Sequence, residues 1–318
     1  MPESKTNVLE VIEMRGFVLS LAAIGLILSA ASAGEILIKG SDTLLNLVQQ
    51  LAEGYMNDHP DAEISVVGGG SGVGIAALIE GKADIANASR KIKPKEIERA
   101  KKHGVNPTQF VIAMDGLSII VNPKNPVDKL TVEQLGAIYR GEIKNWKEIG
   151  GPNMRINLYG RQPASGTFIF LREHVLKGDY SPRMRQMAGN AQIVEAVKRD
   201  RSGIGYVGLG YVKGAKGIKV LSIGRREKGK PLRYVSPLPF ITPLKPGAKK
   251  QRPEDYPLIR PLFQYTNGVP KGSIRDFILF EIGDEGQRIV EKVGFLRITE
   301  AQKSKDLKLL GLEKPAKR

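Results

Sequence analysis

Apolar and polar positions alternate over residues 35–39 (EILIK), the period-2 pattern of a half-buried strand. Gly40-Ser41-Asp42-Thr43 breaks the alternation. The next run sets Leu44, Leu47, Val48, Leu51, Ala52 and Tyr55 on one helical face and ends near His59-Pro60. The same order recurs. A strand over 64–67 leads into Gly68-Gly69-Gly70-Ser71-Gly72-Val73-Gly74 and a short helix over 75–80. A third strand over 83–86 ends at Asn87-Ala88-Ser89-Arg90, and a basic helix over 93–103 follows. Strand, turn and helix repeated with short connections predict an α/β fold with a largely parallel sheet. Ligands of such sheets sit at the carboxyl ends of the strands.

A long apolar run, 110–121, is interrupted only by Asp115-Gly116. Beyond it, Thr131-Val132-Glu133-Gln134 has the spacing of a capping box and starts a helix carrying Leu135 and Ile138. A strand over 154–159 and a helix over 168–177 flank Gly160-Arg161-Gln162-Pro163-Ala164-Ser165-Gly166-Thr167. Residues 183–188 and 191–198 have helical spacing, and 203–207 and 219–223 read as strands. A second long apolar run, 257–266, precedes helices over 274–282 and 286–293 and a closing segment at 294–298. Two long runs at block boundaries predict two lobes joined by two crossing strands: lobe I as 34–114 plus 259–318, lobe II as 115–258. Such an arrangement makes a hinged clamp.

Composition narrows the chemistry. The 318 residues include no cysteine, so disulfides, thiolate nucleophiles and cysteine metal sites are excluded. The three histidines are scattered, and neither a metal nor a cofactor is expected. Arg15 precedes a short apolar stretch over 16–28 and then Ala31-Ser32-Ala33, the layout of a signal peptide cleaved after Ala33. No cysteine follows for lipid attachment, so a soluble exported protein is expected. Met14 is an alternative start, and an uncleaved anchor is the other reading of this segment. Net charge is +16, and the segment 1–33, with two basic against three acidic residues, leaves +17 for the rest. Such charge favours anionic partners. The basic clusters at 91–102, 225–230, 245–252 and 314–318 lack interleaved aromatics and nucleic-acid motifs, which makes them solvated faces.

Three helix starts then stand out: Ser41 to Leu44, Ser71-Gly72 and Ser165-Gly166-Thr167. Each pairs hydroxyls with the unpaired N–H groups and positive dipole end of a helix, which suit an anion. Arg161 adds a planar fork of donors matched to a tetrahedral oxyanion. Capped helices and a surface ion pair explain any one of these turns equally well. The Gly-rich 68–74 is not a phosphate-binding P-loop, because no Gly-Lys-Ser/Thr follows.

Over nearly the whole chain after the leader, the sequence resembles the periplasmic phosphate-binding proteins of phosphate-specific ABC transporters. The matching stretches are IKGSDTLL, GGGSGVGIAALIEGKADIANASR, DGLSIIVNPKNP, LTVEQLGAIYRGEIKNWKEIGG, GRQPASGTFIF and YPLIRPLFQYTNG. The resemblance implies a two-lobed type II periplasmic-binding fold that closes around inorganic phosphate and passes it to a membrane permease, without catalysis. A periplasmic or extracytoplasmic monomer that binds no nucleic acid is expected. Carried over by position, the phosphate ligands are Thr43, Leu44, Ser71, Arg161, Ser165, Gly166 and Thr167, with Ser41, Gly72 and Ser89 as further candidate ligands. Two positions depart from the family pattern. Arg90 stands where many members have an aspartate that accepts the proton of hydrogen phosphate, and Pro163 stands where some have an acid. Arg90 is kept as a candidate ligand, Asp115 is the first candidate proton acceptor and Asp42 the second. A pairing of Asp115 with Arg90 or Arg161 is the competing reading. The same departures leave open a receptor for sulfate, molybdate or tungstate.

Overall fold

The computed structural model describes residues 35–226, 229–242 and 252–312. The leader and the clusters at 245–251 and 314–318 lie outside them. Among the described residues no helix is long and apolar enough to cross a membrane.

The first sheet is built from β1 (Ile36–Gly40), β2 (Ile64–Val67), β3 (Ile85–Ala88), β4 (Pro107–Gly116) and β13 (Ile259–Asn267), in the order β2-β1-β3-β13-β4. β1 pairs in parallel with β2 and β3, whereas β13 runs antiparallel to both β3 and β4. The parallel pairs need crossover helices, and these are α1 (Leu45–Asp58) and α2 (Ser71–Ile79). α3 (Pro94–Lys102) follows β3, and α7 (Gly272–Ile282), α8 (Asp284–Val293) and α9 (Glu300–Leu309) follow β13.

The second sheet has the order β10-β5-β9-β7-β8. Its strands are β5 (Ser118–Val121), β7 (Asn157–Arg161), β8 (Arg185–Met187), β9 (Gly203–Val207) and β10 (Lys219–Val220). α4 (Val132–Arg140), α5 (Gly166–Leu171) and α6 (Asn190–Arg199) pack around it. β6 (Lys129–Thr131), β11 (Ser222–Arg225) and β12 (Arg233–Val235) form a small third sheet. The capping box at Thr131 forms as its spacing requires: Gln134 N–H donates to Thr131 Oγ1, and Gln134 Oε1 accepts from Thr131 N–H.

Each sheet has its own apolar core. One draws on residues 36–113 and 262–310, and the main second core on residues 117–258. The chain passes between them twice, side by side, since β4 and β13 are paired with Gly116 opposite Ile259 and Asp115 opposite Arg260. The crossing is pinned by Leu117 N–H donating to Leu258 O at 3.0 Å and Tyr256 OH donating to Leu117 O at 2.7 Å.

Several local expectations are corrected. Residues 185–187 are a strand on β7 rather than part of a helix, with Tyr159 opposite Arg185. α2 begins at Ser71, four residues earlier than its apolar spacing suggests, and β3 is shifted to 85–88. The helix read over 168–177 starts at Gly166 and passes into a π-turn over Arg172–Leu176. α9 is a helix that the apolar pattern does not announce. Its one buried residue is Asp306, so it carries no apolar stripe.

Candidate functional site

Four strand-to-helix turns converge where the two sheets meet. Three come from the first sheet, after β1, β2 and β3, and one from the second, after β7. Close approach needs glycine at two of them. A side chain at Gly40 would strike Asn87 O at 2.2 Å, and one at Gly166 would strike Ser71 Oγ at 2.3 Å and Ser89 Oγ at 2.6 Å.

Ser41, Thr43, Ser71, Ser89, Ser165 and Thr167 are all buried, and most of their hydroxyls form one connected group. Ser41 Oγ donates to Ser89 Oγ at 3.0 Å. Ser89 Oγ lies 3.4 Å from both Ser71 Oγ and Thr167 Oγ1, and Thr43 Oγ1 lies 3.0 Å from Thr167 Oγ1. Backbone amides feed several of these oxygens. Thr43 N–H donates to Ser41 Oγ at 3.3 Å and Ser89 N–H to Ser71 Oγ at 3.0 Å. Thr167 and Phe168 N–H groups donate to Ser165 Oγ at 3.2 and 3.4 Å, which is the N-cap of α5. A hydroxyl that accepts from an amide keeps its own proton to give. The cluster is therefore biased toward donation.

Arg161 closes the group from the second sheet. Its backbone N–H donates to Tyr206 OH at 2.8 Å, and its Nη2 donates to Asp42 Oδ2 and to Ala188 O. Its Nε and Nη1 are buried and have no hydrogen-bond partner in the protein. Two unpaired donors on a buried guanidinium would be costly without an acceptor, and an oxyanion supplies one. Tyr211 OH donates to Asp42 O at 2.5 Å, so the residue that holds Arg161 is itself fixed across the junction. Burial, together with the Asp42 charge, pushes the Tyr211 phenol up to about 12.

The remaining expected ligands are differently engaged. Leu44 N–H is bonded to Ser41 O at 3.0 Å, within the turn. Gly72 N–H donates across the junction to Ala164 O at 3.0 Å, beside Pro163. Arg90 is drawn to α3, where Nη1 and Nη2 contact Glu96 at 2.7 and 2.6 Å. Burial and the ion pair act oppositely on Glu96, and the net effect holds its carboxyl below the usual range. Asp115 pairs with neither Arg90 nor Arg161. Its Oδ2 accepts from Arg260 Nε at 3.0 Å and Nη2 at 2.8 Å, and its Oδ1 accepts from Leu209 N–H at 2.8 Å.

Arg260 is the residue that sequence reasoning missed. It is buried, donates to Ser89 O and Thr167 Oγ1 as well as Asp115, and packs over the Phe170 ring. Burial pushes its guanidinium down from the ordinary value, with Asp115 opposing. A lone arginine inside the apolar stretch 257–266 was the available signal. Among the described residues, no group of three or more His, Asp or Glu side chains is placed to hold a metal ion.

Two cores linked by paired strands, with buried donors for an anion at their junction, are the architecture of periplasmic-binding proteins. The family model described as "PBP superfamily domain" matches residues 28–285. The phosphate-binding protein PstS of Pseudomonas aeruginosa is 30% identical over 298 residues, covering 88% of each chain. Its Staphylococcus aureus counterpart is 32% identical over 274 residues, covering 84% of this chain and 79% of the other. A putative phosphate ABC transporter substrate-binding protein from Clostridium perfringens, solved with bound phosphate, superposes with a TM-score of 0.70 at 27% identity. It covers 84% of this chain and 100% of that one. An ABC-type phosphate transport receptor from Vibrio cholerae gives 0.63 at 28% identity, covering 83% and 100%. The chain belongs to the PstS family of phosphate-binding proteins, and its α/β fold is the type II periplasmic-binding fold.

Proposed function

We propose that this protein is the phosphate receptor of an ABC transporter. It captures inorganic phosphate outside the cytoplasm by closing two lobes around it, and hands it to a membrane permease without making or breaking a bond. The observation that carries this reading is the buried edge of Arg161, with Nε and Nη1 unpartnered beside a connected set of hydroxyls. That set supplies neutral donors and Arg161 supplies charge. We take residues 34–114 plus 259–318 as one lobe and 115–258 as the other, with Gly116–Leu117 and Leu258–Ile259 as the hinge. The division of the cores supports these limits. We take residues 1–33 as a leader cleaved after Ala33, which supports export, and we take the receptor to work as a single copy.

Phosphate is told from sulfate by the proton that hydrogen phosphate carries and sulfate lacks, and that proton needs an acceptor. A carboxylate offers about four lone pairs. Three N–H donors already occupy Asp115, whereas Asp42 accepts from Gly69 N–H at 3.0 Å and from Arg161. We therefore assign the acceptor role to Asp42. Neutral donors and a paired arginine would also hold sulfate, the competing anion. Calorimetric titration with phosphate, sulfate and molybdate from pH 5 to 8 separates them. Micromolar or tighter phosphate binding, with sulfate much weaker, is expected. Tight sulfate binding without phosphate binding overturns the assignment. Asp42→Asn is expected to blunt the discrimination.

A further inference from the structure

Arg260 belongs to neither helix-start jaw, yet it contacts both. It sits on β13, opposite Asp115 on β4, one residue from where the chain crosses between the cores. Its Nε and Nη2 are anchored by Asp115 Oδ2, its Nη1 reaches Ser89 O at 3.2 Å, and its Nη2 reaches Thr167 Oγ1 at 2.9 Å. Ser89 follows β3 of the first sheet, whereas Thr167 lies in the first turn of α5, beside the second. One guanidinium on a hinge strand thus bridges both jaws.

We propose that Arg260 is a positioning residue that latches the closed clamp and sets the polarity of the Thr167 hydroxyl. A planar fork held by a buried carboxylate has lost its freedom before it meets Thr167 and Ser89 O, so little ordering remains to oppose those bonds. The bonds hold only while α5 lies against the end of β3, so they select the closed arrangement. An N–H donating into Thr167 Oγ1 also directs that hydroxyl's own proton away, toward Thr43 Oγ1 or a bound oxyanion, and strengthens the outward bond. Thr167 becomes a donor whose direction Arg260 fixes. The bulk of Phe170 beneath the guanidinium, 5.1 Å from the ring centroid, keeps it from swinging outward.

The inference rests on the phosphate-receptor reading for its ligand arm but not for its latch arm. Two variants test it. Asp115→Asn/Arg260→Met removes both buried charges together, so the hinge is left neutral. Arg260→Lys keeps the charge opposite Asp115 but lacks the fork that serves Ser89 O and Thr167 at once. The natural chain has no cysteine, so Lys95→Cys on α3 and Ala191→Cys on α6, both exposed, accept a label pair that spans the two cores.

Both variants are expected to bind inorganic phosphate at least tenfold more weakly in calorimetry. Both should also show a ligand-free distance distribution shifted to longer values, with closure needing correspondingly more phosphate. If Arg260 only balances the Asp115 charge, Arg260→Lys restores wild-type affinity and distances, and the proposal falls. Should the double variant fail to fold, Arg260→Lys alone decides. Should wild-type protein fail to bind phosphate, the functional reading falls, while the ligand-free distances still judge the latch.

Discussion

The two jaws of the site are built on different principles. The first, carried by the turns after β1, β2 and β3, presents the buried, neutral Ser41, Thr43, Ser71 and Ser89 beside one carboxylate, that of Asp42, which pairs with Arg161. Its cation, Arg90, is turned away to Glu96. The second presents Arg161 with two unpaired donors, beside the α5 cap at Ser165. Attraction is thus concentrated on one side and shape on the other. Charge acts at a distance, whereas hydroxyl geometry acts only on contact. An anion is expected to dock first on the Arg161 side and to be closed over by the hydroxyl side.

The largest effect is expected at the charged jaw. Arg161→Ala removes two charge-assisted bonds at about 1.5–3 kcal/mol each, so calorimetry should show phosphate affinity down by about a hundredfold or more. A change of less than threefold would place the charge elsewhere and erase the asymmetry. Gly166→Ala comes next, since the added Cβ would meet Ser71 Oγ at 2.3 Å. Closure should be impeded, with affinity down by roughly tenfold or more. Thr43→Val keeps the shape but deletes one neutral hydroxyl, for about 0.5–1.5 kcal/mol, a roughly three- to tenfold loss. Should Thr43→Val cost as much as Arg161→Ala, the two jaws are equal partners.

The smallest effect concerns stability and the first core alone. Glu281 is buried there, and burial raises its carboxyl well above the usual range, with Gln264 Nε2 opposing as a hydrogen-bond donor at 3.0 Å. A folded-state value above the unfolded one gives stability that is full below the unfolded value and lost as pH climbs through the folded one. Glu281→Gln cannot ionise and keeps an acceptor for Gln264 Nε2. Its melting temperature is expected to match wild type near pH 4 and to exceed it by a few degrees near pH 8. An identical difference at both values would mean that Glu281 keeps no proton.

Much of the first sheet was legible because its signals are local. Ser41 and Ser71 stand at Gly-containing turns between a strand and an apolar helical run, although neither side chain caps its helix; beside the second sheet, Ser165 caps α5 and the box at Thr131 is complete within four residues. Arg260 was hidden for the opposite reason. Its partner Asp115 lies 145 positions away and becomes a neighbour only when β13 pairs with β4. β8 failed similarly, because three residues become a strand only through β7. Arg90 could have been placed from the sequence. Glu96 stands six residues on, in the first turn of α3, where its carboxylate caps Lys93 N–H and meets the guanidinium.

One bond across the junction belongs to no side chain. Gly72 N–H donates to Ala164 O, main chain to main chain. Side-chain replacement can retune every hydroxyl and charge around the anion while this bond persists, and among natural residues only proline at 72 removes its donor. The closing stroke is therefore partly insulated from the chemistry of recognition. A lineage can exchange one anion for another by editing side chains without having to reinvent the movement that captures it.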